Sequence, residues 1–316
     1  MNRPLKFAFV LIALLIVALV IGAAIGSERL SFFNLTEQQR SILFDIRLPR
    51  VFLAACVGAS LAAAGAGLQA LLRNPLAEPY LLGVSNGAAL GTMLAFVLFE
   101  NLEFSRPVMA FLGAALATIV VYQMAKGRAG MTVERLVLSG VIVTTFLSAV
   151  IVLFTSLIDA AKLRSFTFWL LGDLSQATRS GVYLCFAAAI VGTVVLASQA
   201  RALNLMMIGE RDALDFGVEV GRVRWLVFGA GALLVGASVA ASGSVGYVGL
   251  VVPHLVRLAT GSDNRSVIPF AALAGATFVV AADMIARIAI APRELPVGAI
   301  TALIGAPVFI YLLRRS

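Results

Sequence analysis

Charge is scarce in this chain of 316 residues: 13% are Asp, Glu, Lys or Arg, against 61% hydrophobic. A soluble globular domain carries about a quarter of its residues as charges, so this composition excludes a water-soluble core with a polar coat. Histidine is nearly absent. His254 is the only one, and the two cysteines, Cys56 and Cys185, lie inside apolar segments. That leaves no disulfide framework and no Cys/His metal site, and His254 by itself reads as a packed or hydrogen-bonded side chain. The pattern GxxxxGK[ST] is missing too, so the chain has no phosphate-binding loop with which to hydrolyse ATP. Scattered carboxylates and isolated serines make no catalytic set, so the chain reads as a non-enzyme.

What is present is apolar sequence, with a mean hydropathy of +1.01. Apolar segments fall at Phe7–Gly26, Val51–Leu72, Tyr80–Phe99, Pro107–Ala125, Leu136–Ile158, Val182–Ser198, Trp225–Ala241, Val245–Leu258, Val267–Ile290 and Val297–Leu313. Most are about long enough to cross a bilayer core of roughly 30 Å. An all-α integral membrane protein of about ten spans follows. The first run is too long for a signal-peptide core and reads as an uncleaved span. The net charge of +8 is made of bases between apolar runs, where they set topology rather than bind nucleic acid. Placing both termini in the cytoplasm puts the larger share of Lys and Arg inside. FTFWLL, Phe166–Leu171, is too short to span and reads as a surface or re-entrant helix in an outer loop.

Two stretches share VGAS, at Val57–Ser60 and Val235–Ser238, and Pro75 and Pro253 keep the same spacing. An internal duplication is expected, with 51–158 and 225–313 as inverted repeats of one transmembrane domain covering 1–316; transporters commonly place their pathway between such halves.

The longest charged interruption is 201–224, RALNLMMIGERDALDFGVEVGRVR. Acids and bases alternate with Leu203, Leu205, Met206, Leu214 and Phe216, which predicts one or two short amphipathic helices broken at Gly209 and Gly217. The segment is either a connecting loop or a handle that lies on a membrane or in a partner's groove. Arg73–Gly87, RNPLAEPYLLGVSNG, places Asn74, Pro75, Pro79 and Asn86 between two spans. It is either a tight turn or a broken helix acting as a hinge or pathway wall. Gly243–Asp263 is the second dense stretch, with Gly249 implying close backbone approach and Pro253 a kink. Asp283 and Arg287 are four apart and share a helix face, which predicts a structural ion pair, with an outer-face role for Arg287 as the alternative. Arg47 and Arg50, in RLPR, are interface anchors or cations that meet acidic groups on a partner.

RLPR, NPLAEPYLLGVSNGAALG, GYVGLVVPHLVRLATGSDNR and RELPVGAITALIGAPVFIYLLRR occur in this order from Arg47 to the C-terminus. In these motifs the chain resembles FecCD-type permeases, membrane subunits of bacterial ABC importers for ferric siderophores, haem and cobalamin. The resemblance implies a fold like that of the cobalamin-importer permease and a place in the bacterial inner membrane. It also implies a second permease copy, two cytoplasmic ATPase subunits that carry ATP and Mg, and an external substrate-binding protein. This chain would bind no cofactor and would move a metal chelate, ferric siderophore foremost, with cobalamin or haem as the alternative. An ion-coupled secondary transporter is the reading from outside the family. By position, Leu203, Leu205, Met206, Ile208, Gly209, Glu210, Asp212, Asp215 and Gly217 would couple to the ATPase. Arg47, Arg50 and Arg287 would face the binding protein, while Asn74–Pro79 and Val252–His254 correspond to family motifs of the pathway.

Overall fold

A computed structural model describes residues 3–26, 36–99, 105–127 and 130–314. Among the described residues the regular structure is helical apart from a pair of two-residue strands, Lys126–Gly127 with Gly130–Met131. The helices are α1 (Arg3–Ala24), α2 (Glu37–Ser41), α3 (Leu48–Leu72), α4 (Val84–Leu98), α5 (Ser105–Ala125), α6 (Val133–Thr155) and α7 (Ala160–Leu170). They continue as α8 (Arg179–Ser198), α9 (Ala200–Ile208), α10 (Glu210–Asp215), α11 (Val220–Ser242), α12 (Val248–Thr260), α13 (Asn264–Ile288) and α14 (Val297–Leu313). Among the described residues, seven helical runs are long and apolar enough to cross a membrane, and α4, α12 and α14 are shorter apolar helices. Together they coincide with the ten apolar segments of the sequence.

The second span starts earlier than hydropathy suggests. Helix runs unbroken from Glu37 to Leu72 through a wider π turn at Ile42–Arg47. Pro49 follows two residues after that turn and has no N–H to return to it, which is where such a bulge relieves the ladder.

Helix α3 is the hub, almost wholly buried among α8, α11, α12 and α13. Its LAACVGASLAAAGAGLQALL run explains the position: in lipid, helices associate through small residues that let backbones approach, not by hiding apolar side chains. Added Cβ atoms on Gly58 and Gly275 would each strike the other's carbonyl, and one on Gly65 would strike the carbonyl of Gly249. Large apolar side chains such as Phe9, Leu138, Phe146 and Leu184 point outward instead.

VGAS falls in α3 and again in α11, but the two prolines do not occupy equivalent places. Pro75 lies in the turn after α3, whereas Pro253 lies inside α12, so equal spacing along the chain is not equal position in the fold. The FTFWLL segment forms the C-terminal end of α7, which is N-capped by Asp159. Phe166 is fully buried there, stacked on Trp169 and edge-on to Phe96 of α4.

Candidate functional site

The charged interruption folds as the residue pattern predicts, into two short helices. Helix α9 ends at Gly209 and α10 ends at Gly217, whose φ of +76° is left-handed. Val218 N–H donates to Ala213 O and Gly217 N–H to Leu214 O, both at 2.9 Å, the paired bonds of a Schellman cap. The side chains divide into two faces. Leu203 and Met206 are buried in the chain's own core and Leu205 is half-buried, so these three do not present themselves to a partner. The outward face is Ile208, Arg211, Asp212, Leu214, Asp215 and Phe216, with Ile208 75% and Phe216 74% exposed. Glu210 also turns to its own chain, 2.7 Å from the Arg224 guanidinium. Leu214 and Phe216, rather than Leu203 and Met206, are the exposed apolar side chains of this tip. An amphipathic period shows that two faces exist but leaves open which one is covered.

The two proline-bearing stretches, distant in sequence, meet in space. Pro79 opens a 3-10 turn, Pro79–Leu82, that leads through left-handed Gly83 into α4. Asn74 Oδ1 accepts the N–H of Leu76 at 2.8 Å, which folds the exposed turn carrying Pro75. Glu78 Oε1 accepts the N–H of Tyr247 at 3.0 Å, just where Tyr247 adopts a left-handed φ of +67°. The Tyr80 hydroxyl donates to Val245 O at 2.9 Å and accepts Val245 N–H at 3.0 Å. Asn86 Nδ2 donates to Thr144 O and Ser148 Oγ at 3.0 and 2.7 Å, tying α4 to α6. The segments that lead into the short helices α4 and α12 are thus bonded to each other.

Pro253 sits inside α12 and cannot donate to the carbonyl of Gly249, four residues back. Gln69 of α3 supplies the missing donor: its Nε2 lies 3.3 Å from Gly249 O and 3.1 Å from Leu250 O. Sequence reasoning passed over Gln69, although a lone amide in a Gly/Ala-rich helix was the available signal. His254 follows Pro253, half-buried on the same helix. Among the described residues no three His, Cys, Asp or Glu side chains gather into a metal-ligand set.

Arg47, Arg50 and Arg287 do converge, but inward. They are only 6%, 6% and 4% exposed. Arg47 donates to Ala24 O at 2.7 Å and Ala23 O at 3.3 Å, and Arg287 to Ile25 O at 2.8 Å and Gly22 O at 2.9 Å. These carbonyls lie at or just past the end of α1, where a helix has no donors of its own. Arg50 bridges Asp283 at 2.9 Å and Glu294 at 2.6 Å, and Arg287 reaches Asp283 at 3.0 Å. The Asp283–Arg287 pair forms as expected. The three guanidiniums are buried rather than exposed, held by Asp283, Glu294 and the end of α1.

The model of the FecCD transport family matches residues 10–315. The chain belongs to the FecCD transport family. This FecCD chain is 40% identical, over all of its length and 96% of the relative's, to a vitamin B12 import system permease of Vibrio cholerae. It is 38% identical to a hemin transport system permease of Yersinia pestis, covering 99% of this chain and 95% of that one. A Bacillus subtilis ABC transporter permease is 44% identical over 93% of this chain and 83% of its own. A solved structure described as an inward-facing conformation of a metal-chelate type ABC transporter matches with a TM-score of 0.90 at 34% identity, covering 98% of this chain and 99% of that one. The fold and the multi-pass membrane placement of this FecCD permease therefore agree with its relatives. The last arginine of its closing motif, Arg315, lies outside the described residues.

Proposed function

We propose that this chain is the membrane subunit of an ATP-driven importer of metal chelates in the bacterial inner membrane, working by alternating access. The observation that carries this reading is the α9–α10 tip: exposed Ile208, Leu214 and Phe216 beside Asp212 and Asp215, on a turn fixed by Gly217. An apolar centre with a charged rim is the anatomy of a protein-docking patch. In this reading the tip is cytoplasmic, as both termini are, and it seats in an ATPase subunit that binds ATP and Mg. Movement there shifts α3, α11 and α12 around the pathway. Two such ATPases, a second copy of this permease and an external substrate-binding protein complete the machine, with the bilayer as its solvent. The FecCD chain itself binds no cofactor and hydrolyses nothing.

The relatives' names put cobalamin and haem first among cargoes to offer, with ferric siderophore beside them. The test is uptake into proteoliposomes holding this permease, its ATPase and its binding protein. The expected result is accumulation of one chelate that stops when ATP or the binding protein is withheld. Uptake that followed an imposed ion gradient without the ATPase would replace the importer with a secondary transporter. Asp283 is poorly suited to that alternative, being held between Arg50 and Arg287 rather than poised to exchange an ion.

A further inference from the structure

We infer that Asn204 is the positioning residue that transmits movement of the α9–α10 tip to the pathway helices, through Asn264 and Arg257. This rests on the proposed coupling to an ATPase and adds the route by which the coupling enters the membrane. Asn204 uses both ends of its amide on one corner of the fold, the turn between α12 and α13. Its Nδ2 donates to Asp263 Oδ1 at 2.7 Å, and its Oδ1 accepts from Asn264 N and Asn264 Nδ2 at 3.0 and 2.8 Å. Asn264 is fully buried, and its Nδ2 also reaches Met207 Sδ, one turn of α9 further on, at 3.3 Å.

The far side of Asn264 continues the chain of contacts. Its Oδ1 accepts from Arg257 NH2 at 3.0 Å, and the same nitrogen donates to Ala66 O of α3 at 3.1 Å. Ala66 adjoins Gly65, where α3 meets the backbone of Gly249 in α12. A displacement of α9 is therefore passed, through directional bonds that add to the apolar packing of Leu203 and Met206, to the corner that starts α13, to α12 and to the hub helix. An apolar staple at residue 204 would hold α9 in place but would leave its angle to α12 free. The donor and acceptor ends of Asn204 fix that angle.

The experiment uses the complete importer in proteoliposomes and reads cargo moved per ATP hydrolysed, with cobalamin, haem and a ferric siderophore as probes. Asn204→Asp keeps the acceptor for Asn264 but sets a second carboxylate against Asp263. The expected loss in cargo per ATP is roughly three- to thirtyfold, the size that coupling along such contacts carries. Pairing it with Asp263→Asn reverses donor and acceptor, leaves an asparagine that caps α13 as well as aspartate does, and is expected to restore the ratio. A merely structural role would move the melting temperature and leave cargo per ATP unchanged. Unchanged coupling in Asn204→Asp, or a double variant that assembles but regains no coupling, would overturn the relay. If Asn204→Asp alone fails to assemble, the double variant decides by the same ratio. Failure of the unaltered complex to import any of the three probes with ATP would instead overturn the importer reading on which the relay rests.

Discussion

Arg50 Nε lies 2.9 Å from Asp283 Oδ1, and the other oxygen of that carboxylate lies 3.0 Å from Arg287 Nε. One buried acid on α13 thus holds two cations, one from its own helix and one from α3. Truncating a buried ionic partner leaves the others uncompensated, which costs about 3–5 kcal/mol. Asp283→Ala is expected to destabilise the permease by that order, read as loss of the folded fraction on heating in detergent. Arg50→Glu is expected to act in the same way, through folding and before any effect on a docking protein. A stable Arg50→Glu protein with weakened docking alone would show that the cluster loosens enough to serve a partner.

Gln69 and Pro253 form a second dependence that can be dissected. Gln69→Leu removes the donor to Gly249 O and leaves that buried carbonyl unpaired, at a cost of about 1–3 kcal/mol. Pro253→Ala supplies a backbone N–H to the same carbonyl. The double variant is therefore expected to lose less stability than the two single variants summed, a coupling that a double-mutant cycle measures. Strict additivity would mean that Gln69 does not serve the proline kink.

Some of this was legible in the sequence because it is local. Ten apolar segments are visible because a bilayer demands length, and the break at Gly217 because a left-handed cap demands glycine. Asp283 and Arg287 are legible as a pair because four residues make one helical turn. Arg50 with Glu294, Gln69 with Gly249, and Asn204 with Asn264 are not, because each joins elements whose proximity depends on how helices cross. Hydropathy carries nothing of crossings set by Gly58, Gly65 and Gly275. The two faces of the α9–α10 segment are not legible for a related reason: in a membrane protein an apolar side chain is equally at home in the core, in lipid or on a partner, so Leu203 and Phe216 look alike until the fold separates them.

That separation can be measured. Phe216→Ala touches an exposed side chain, so the fold is expected to hold to within about 0.5 kcal/mol while affinity for the ATPase subunit falls about tenfold or more, as for an aromatic anchor of an interface. Leu203→Ala is expected to do the reverse, costing about 2–5 kcal/mol of stability by opening a cavity. Equal ATPase affinity in Phe216→Ala and the unaltered chain would remove this residue from the docking surface.

Two carboxyls outside the spans respond to pH with opposite sign. Burial raises the Glu78 carboxyl above its ordinary value, against the lowering effect of the Tyr247 N–H. Its folded form therefore holds a proton more tightly than the unfolded chain does, and its contribution is fully present below the ordinary glutamate value and is lost as pH rises through the folded value. Asp263 is shifted the other way, first by the Arg265 N–H and then by the Asn204 amide. Its contribution is present above the ordinary aspartate value and is lost as pH falls through the lower folded value. Glu78→Gln keeps an acceptor for Tyr247 but does not titrate, so the difference in melting temperature between it and the unaltered chain is expected to shift in favour of glutamine as pH rises from the carboxylate range toward neutrality. Asp263→Asn is expected to gain relative stability in the opposite direction, as pH falls. A difference independent of pH in either variant would mean that the carboxyl is not held by these contacts.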